Sequence, residues 1–342
     1  MSSTQRTSGL SRERGIVPDD KLILAQNLIN DASDSLTALR DLAISLGKIG
    51  DALEAQGRLD KAQDTFIRVV GILKPLIQAY SANLELQRLL FFASSKLGDV
   101  LYSQGKIAEA NVAYSDGLAI AEHLARADTA NVDWQRDLSV SFERVGDVRM
   151  ARGQVEAALS AFRESLTIRA HLAHGDPANA GWQRDLSVSF NKVGDVLVAQ
   201  GKGGEALTAY RDSLTIAERL ARSDPANAGW QRDLSVSFEK VGDVLVAQGK
   251  REEALTAYRD SLAIAERLAR SDPANAGWQR DVAVSQFKLG VFALRSGDVA
   301  EARRLLTAGR AIVAGLATRS PDWAVVRRDV EWVDRVLATL PR

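Results

Sequence analysis

The chain has 342 residues, too many for one compact core and enough for two ordinary domains or one extended array. Its 44 Lys and Arg balance its 44 Asp and Glu, so no bulk charge draws it to nucleic acid or to an anionic membrane. Cysteine is absent, which excludes disulfides, cysteine–zinc sites and thiol nucleophiles, and no apolar run approaches the roughly 18 residues of a membrane span.

Residues 1–18 are polar, are Arg- and Ser-rich, lack the apolar core of a secretory signal and end at Pro18; they read as a disordered tail. A cytoplasmic location is expected. Helical spacing begins at once in Leu22, Leu24, Ala25, Leu28 and Ile29, which predicts a leading helix over 19–30.

Beyond it the chain repeats itself. Trp134, Trp182, Trp230 and Trp278 stand 48 residues apart, and Gly50, Gly98, Gly146, Gly194, Gly242 and Gly290 keep the same period. A fixed period of this size marks a stack of like units. The fourth and fifth copies differ only at Asn191/Glu239, Gly203/Arg251, Gly204/Glu252 and Thr215/Ala263. Each copy holds two helices. In 230–248, Trp230, Leu234, Phe238, Val241 and Leu245 form one stripe at helical spacing. Gly249 offers a left-handed stop. A second helix runs from about Arg251 to Arg270, with Glu252 and Glu253 in its first turn and Arg267 and Arg270 in its last, matching the helix dipole. Asp272-Pro273 then breaks it, with Pro expected at the first position of the next helix and Asp or Asn275 as its cap. Pro75 falls inside the second helix of the first copy and predicts a kink or an early stop there. Six pairs fill about 36–320. A closing helix over 322–340 carries Trp323, Val326, Val330, Val333 and Leu337 on its apolar stripe.

The run Phe238, Val241-Gly242, Leu245, Gly249, Ala254, Tyr258 and Ser261-Leu262 resembles the tetratricopeptide repeat, as do its counterparts one copy earlier, Phe190, Val193-Gly194, Leu197, Gly201, Ala206, Tyr210 and Ser213-Leu214. The resemblance covers about residues 20–340. It departs from the family in length, since the usual period is about 34; longer-helix relatives similar to kinesin-light-chain repeats are known, including bacterial arrays beside protease-like or Toll-like effector domains. It implies an all-α, right-handed α-solenoid of antiparallel helix pairs. It also implies a non-enzymatic scaffold that binds a protein or peptide along the concave face. The alternative is a sensor or regulatory subunit controlling a separately encoded effector enzyme.

No catalytic, metal or cofactor site is expected. His123 and His171 share a position filled by Arg219 and Arg267 in other copies, as on a solvated surface, and no nucleophile–base constellation is visible. Gly201-Lys-Gly-Gly204 lacks the Lys-Ser/Thr ending of a phosphate loop and reads as a helix–helix turn. The tryptophan row reads as packing between copies. In tetratricopeptide arrays the first helix of each pair lines the groove, and the residue after the motif Gly points into it. Here that residue is Asp51, Asp99, Asp147, Asp195 and Asp243, with Val291 ending the row. One turn either side lie Asn191 and Val198, or Glu239 and Val246. Such ground suits a basic or amphipathic helical segment. The same aspartates also fit salt bridges, local or between copies, because Lys48, Lys192 and Lys240 each stand three residues before one.

Overall fold

In a computed structural model, residues 36–320 and 323–341 are described. The predicted tail 1–18 and leading helix 19–30 lie outside them. Among the described residues there are thirteen helices and no strand. The chain divides into two compact units, 1–141 and 142–342. The first holds α1 (Leu36–Ala55), α2 (Leu59–Ala79), α3 (Leu84–Ser103), α4 (Ile107–Ala127) and the first half of α5 (Val132–Ala151). The second holds the rest of α5, then α6 (Val155–Gly175), α7 (Ala180–Ala199), α8 (Gly203–Ser223), α9 (Ala228–Ala247), α10 (Arg251–Ser271), α11 (Ala276–Arg295), α12 (Val299–Arg319) and α13 (Ala324–Thr339). The first helices of the pairs start at 36, 84, 132, 180, 228 and 276, one every 48 residues. Each pair is six turns or so of helix going out and coming back, about 30 Å long, and within α1–α4 and within α6–α13 consecutive helices pack on one another as in tetratricopeptide solenoids.

The turns follow from their residues. Within a pair the chain reverses at a glycine of positive φ, 74° at Gly201 and 75° at Gly249, a conformation that side chains resist. Gly201-Lys-Gly-Gly204 is such a turn, running straight into α8. Between pairs the Asp-Pro-Ala-Asn loop is tied twice. Asp272 accepts from the Ala274 amide at 3.1 Å, and Asn275 accepts from the Trp278 amide at 3.1 Å. Asn275 is therefore the cap. Pro273, expected at the first helical position, sits in the turn instead, because the Asp tie closes the loop before the helix starts. Asn83, Asn131, Asn179 and Asn227 cap in the same way.

Pro75 does not stop α2, which runs on to Ala79. Leu73 and Leu76, on either side of the proline, are buried; their packing offsets the lost backbone bond. Helices within a pair cross at the motif glycines. A Cβ on Gly194 would lie 2.4 Å from the Tyr210 ring, and one on Gly242 would lie 2.7 Å from Tyr258. In the first unit Phe66 fills the same place over Gly50. The first unit's core gathers around Leu46, Leu73 and Leu86. The second unit's main cluster spans Phe162, Val196, Tyr210 and Val244. Trp182 and Trp230 are half-buried and pack on Leu186, Ile216 and Leu220, joining neighbouring copies as the stripe predicted. The closing helix buries Val326 and Val333 against Phe287, Leu306 and Val313.

Candidate partner-binding face

The aspartates after the motif glycines sit on the first helices of the pairs, and four of them face a lysine of the neighbouring first helix. Asp51 meets Lys96 at 3.1 Å in the first unit. In the second, Asp147 meets Lys192 at 2.6 Å, Asp195 meets Lys240 at 2.5 Å, and Asp243 meets Lys288 at 2.6 Å. The partner is always 45 residues further on. Lys240 thus reaches back to Asp195 rather than pairing with Asp243 on its own helix. A second tie comes from within the pair. Tyr114, Tyr210 and Tyr258 donate to Asp99, Asp195 and Asp243 at 2.6–2.7 Å. The ring over the glycine is thus the ring whose hydroxyl holds the next residue. Burial, then the neighbouring carboxylates, push the phenols of Tyr210 and Tyr258 far above their ordinary range, so both stay protonated donors. Burial also raises the Asp147 carboxyl, against the pull of Lys192.

The aspartates remain a third to a half exposed: 34% for Asp147, 43% for Asp195 and 48% for Asp243. They form a row of charge-balanced pairs rather than a bare acidic strip. Val198 is 48% exposed and lies beside this row, in a recess of about 380 Å³ with Asp195, Tyr210, Lys240 and Asp243. Val246 is half-buried, in a second recess of about 350 Å³ that continues to Val291, Phe292 and Trp332.

Asn191 and Glu239 stand one turn before Asp195 and Asp243 and are half-buried. The Glu239 carboxylate accepts from Ser285 at 2.7 Å and from Ser261 at 3.1 Å, and burial holds its pKa above the usual carboxylate range. Asn191 Oδ1 is buried without a hydrogen-bond partner among the described residues. At the same position in the third copy, Glu143 pairs with the buried Arg169 at 2.5 Å.

Three recurrent features went unread in the sequence. A seam of buried serine hydroxyls crosses the second unit, with Ser187–Ser213 at 2.9 Å, Ser213–Ser237 at 3.4 Å and Ser261–Ser285 at 3.2 Å. Arg184, Arg232 and Arg280 each fork onto an aspartate 49 residues later, Asp233, Asp281 and Asp329. Gln183 and Gln231 donate to the last turn of the preceding helix and accept from Arg219 and Arg267. The signal was present in the recurring Trp-Gln-Arg-Asp-Leu-Ser-Val-Ser string, whose polar members repeat as faithfully as its apolar ones. Among the described residues, no group of three His, Asp or Glu comes together as metal ligands, and no helix is long and apolar enough to cross a membrane.

A family model described as tetratricopeptide repeat matches residues 237–273, and a second of the same description matches 283–306. The fold is similar to the crystal structure of BtubC (BKLC) from P. vanneervenii, at 16% identity and TM-score 0.57, over 75% of this chain and 92% of that one. It is similar to the apo form of RapI, at 14% identity and TM-score 0.57, over 86% and 95%. It is also similar to the signal transduction ATPase with numerous domains PH0952 from Pyrococcus horikoshii, which has a tetratricopeptide repeat sensor. There the identity is 12% and the TM-score 0.59, over 92% of this chain and 44% of that one. At these identities the likeness concerns the fold. No curated protein matches the sequence.

Proposed function

We propose that this chain, whose residues 237–273 and 283–306 match tetratricopeptide-repeat models, is a non-enzymatic scaffold whose row of first helices binds an amphipathic segment of another protein. The observation that carries this reading is the exposed Val198 beside the Asp195–Lys240 pair, a half-open apolar recess bordered by polar groups. In this reading Val198 and Val246 take the apolar side of the segment. Asp147, Asp195 and Asp243 border its polar side. Basic residues of the segment compete with Lys192, Lys240 and Lys288 for the carboxylates, so the gain per contact is small and selectivity comes from apolar fit.

The test is affinity capture of native partners by the full chain, beside a Val198→Glu, Val246→Glu variant of unchanged melting temperature. Loss of the captured partner supports the reading. Equal capture by both proteins overturns it. A second reading, control of a separately encoded effector enzyme, draws on PH0952, in which a repeat array of this kind is described as a sensor. A stable complex with one enzyme, whose activity changes when Val198 and Val246 are altered, would establish that version.

A further inference from the structure

The register of the lysine–aspartate row leaves one cation over. Each lysine two residues before a motif glycine takes an aspartate 45 residues upstream. Lys48 occupies that position in the first copy, and it has no ion-pair partner among the described residues. The residue beside it is equally unusual. Three residues before the motif glycine, the later copies carry Ser95, Glu143, Asn191, Glu239 and Phe287. In the sixth copy Phe287 is buried and packs on Trp332, filling the space between first helices. The first copy has Gly47, and a Cβ built there meets nothing within 4 Å. The result is a cavity of about 240 Å³ between α1 and α3, floored by Phe66, Val69 and Leu73 of α2. Its walls include Ile44 and Phe92, the latter 44% exposed, and Lys48, Asp51 and Lys96 stand at its mouth. Lys96 is already held by Asp51 and Glu54, at 3.1 and 3.3 Å.

Small-molecule pockets usually run from about 300 Å³ upward. This one is smaller and suits a single bulky side chain. We propose that the first copy is an anchoring site for a protein segment that places one large apolar side chain in the cavity under Gly47 and an adjoining carboxylate on Lys48. The carboxylate takes the place that an upstream aspartate fills for every other lysine of the row with a pair described above. The apolar side chain takes the place that Phe287 fills in the sixth copy. The proposal rests on the scaffold reading and gives its bound segment a polarity, acid-and-apolar at the first copy.

The test uses short fluorescein-labelled peptides with a Gly/Ser background and a central Glu-Phe-Glu. One control carries Gln for both Glu, and another carries Ser for Phe. Each is titrated into the full chain by fluorescence anisotropy. The Glu-Phe-Glu peptide is expected to bind at least ten-fold more tightly than either control. Gly47→Phe, which installs the sixth copy's residue, is expected to abolish that preference with the melting temperature held or raised. Gly47→Asn, the fourth copy's residue, serves the same purpose should the larger side chain disturb folding. Lys48→Ala is expected to bring the Glu and Gln peptides to equal affinity. Equal binding of all three peptides to the unaltered chain overturns the proposal, as does unchanged binding by both Gly47 variants. Failure of the broader reading looks different. If a native partner is lost with Val198→Glu, Val246→Glu but kept with Gly47→Phe, the scaffold reading stands and the anchor falls. If it is kept with both, the two fall together.

Discussion

At Glu239 a single side chain carries the cost of a difference between copies. Glu143 has Arg169 as a buried counter-ion, whereas the residue equivalent to Arg169 near Glu239 is Ala265. Two serine hydroxyls support the Glu239 carboxylate, yet burial still raises its pKa above the ordinary 4.5. A carboxyl whose folded pKa is raised binds its proton more tightly in the native state. Its charged form therefore weakens the fold above the raised value, and that penalty fades as pH falls towards 4.5. Glu239→Gln, which keeps the shape and one acceptor, is expected to raise the urea midpoint at pH 7 and to lose its advantage near pH 4.5. Parallel curves at the two pH values would contradict this. Gly194 makes a steric case of the same kind. Any larger residue there meets the Tyr210 ring, which is itself tied to Asp195 and cannot swing aside freely. Gly194→Leu should cost about 1–3 kcal/mol or more in chemical denaturation.

Helices and turns were readable because each rests on local rules: apolar spacing, a glycine that can take positive φ, and an asparagine placed to cap. The Trp stripe and the glycine–aromatic crossings were readable for the same reason, since they recur at fixed spacing. What connects one helix to another was not. The lysine of each row reaches 45 residues back rather than three forward, and no spacing rule within one helix distinguishes the two. The serine seam escaped because serine is common on surfaces. Only the structure puts Ser213, fully buried, between Ser187 and Ser237. Replacing it tests the seam. Ser213→Val replaces the buried hydroxyl with a methyl group and adds a second methyl, and is expected to cost about 1–3 kcal/mol. A loss below about 0.5 kcal/mol would mean the seam is slack. The closing helix is an element with one task at its packed face. Without it Phe287, Leu306 and Val313 lose their cover. Removing 322–342 is therefore expected to cause self-association on size-exclusion chromatography with light scattering. A monomer of unchanged melting temperature would argue against this.

Across the second unit, the ties between copies recur at the repeat period, so the contact set acts as a ruler with one graduation per 48 residues. Removing 228–275 would bring Asn227 to the start of α11, Arg184 opposite Asp281, Lys288 opposite Asp195 and Ser213 opposite Ser285. Each is the pairing type already present. No new interface has to be invented, and a stack of this kind loses roughly one unit and one neighbour term of stability. The shortened chain is expected to stay helical and to unfold cooperatively at a somewhat lower temperature; aggregation on expression would refute this. Copy number is then a free variable of this protein. The row of first helices in this unit can be lengthened or shortened by whole increments of sequence, while Gly47 in the first copy and Phe287 in the sixth keep their places.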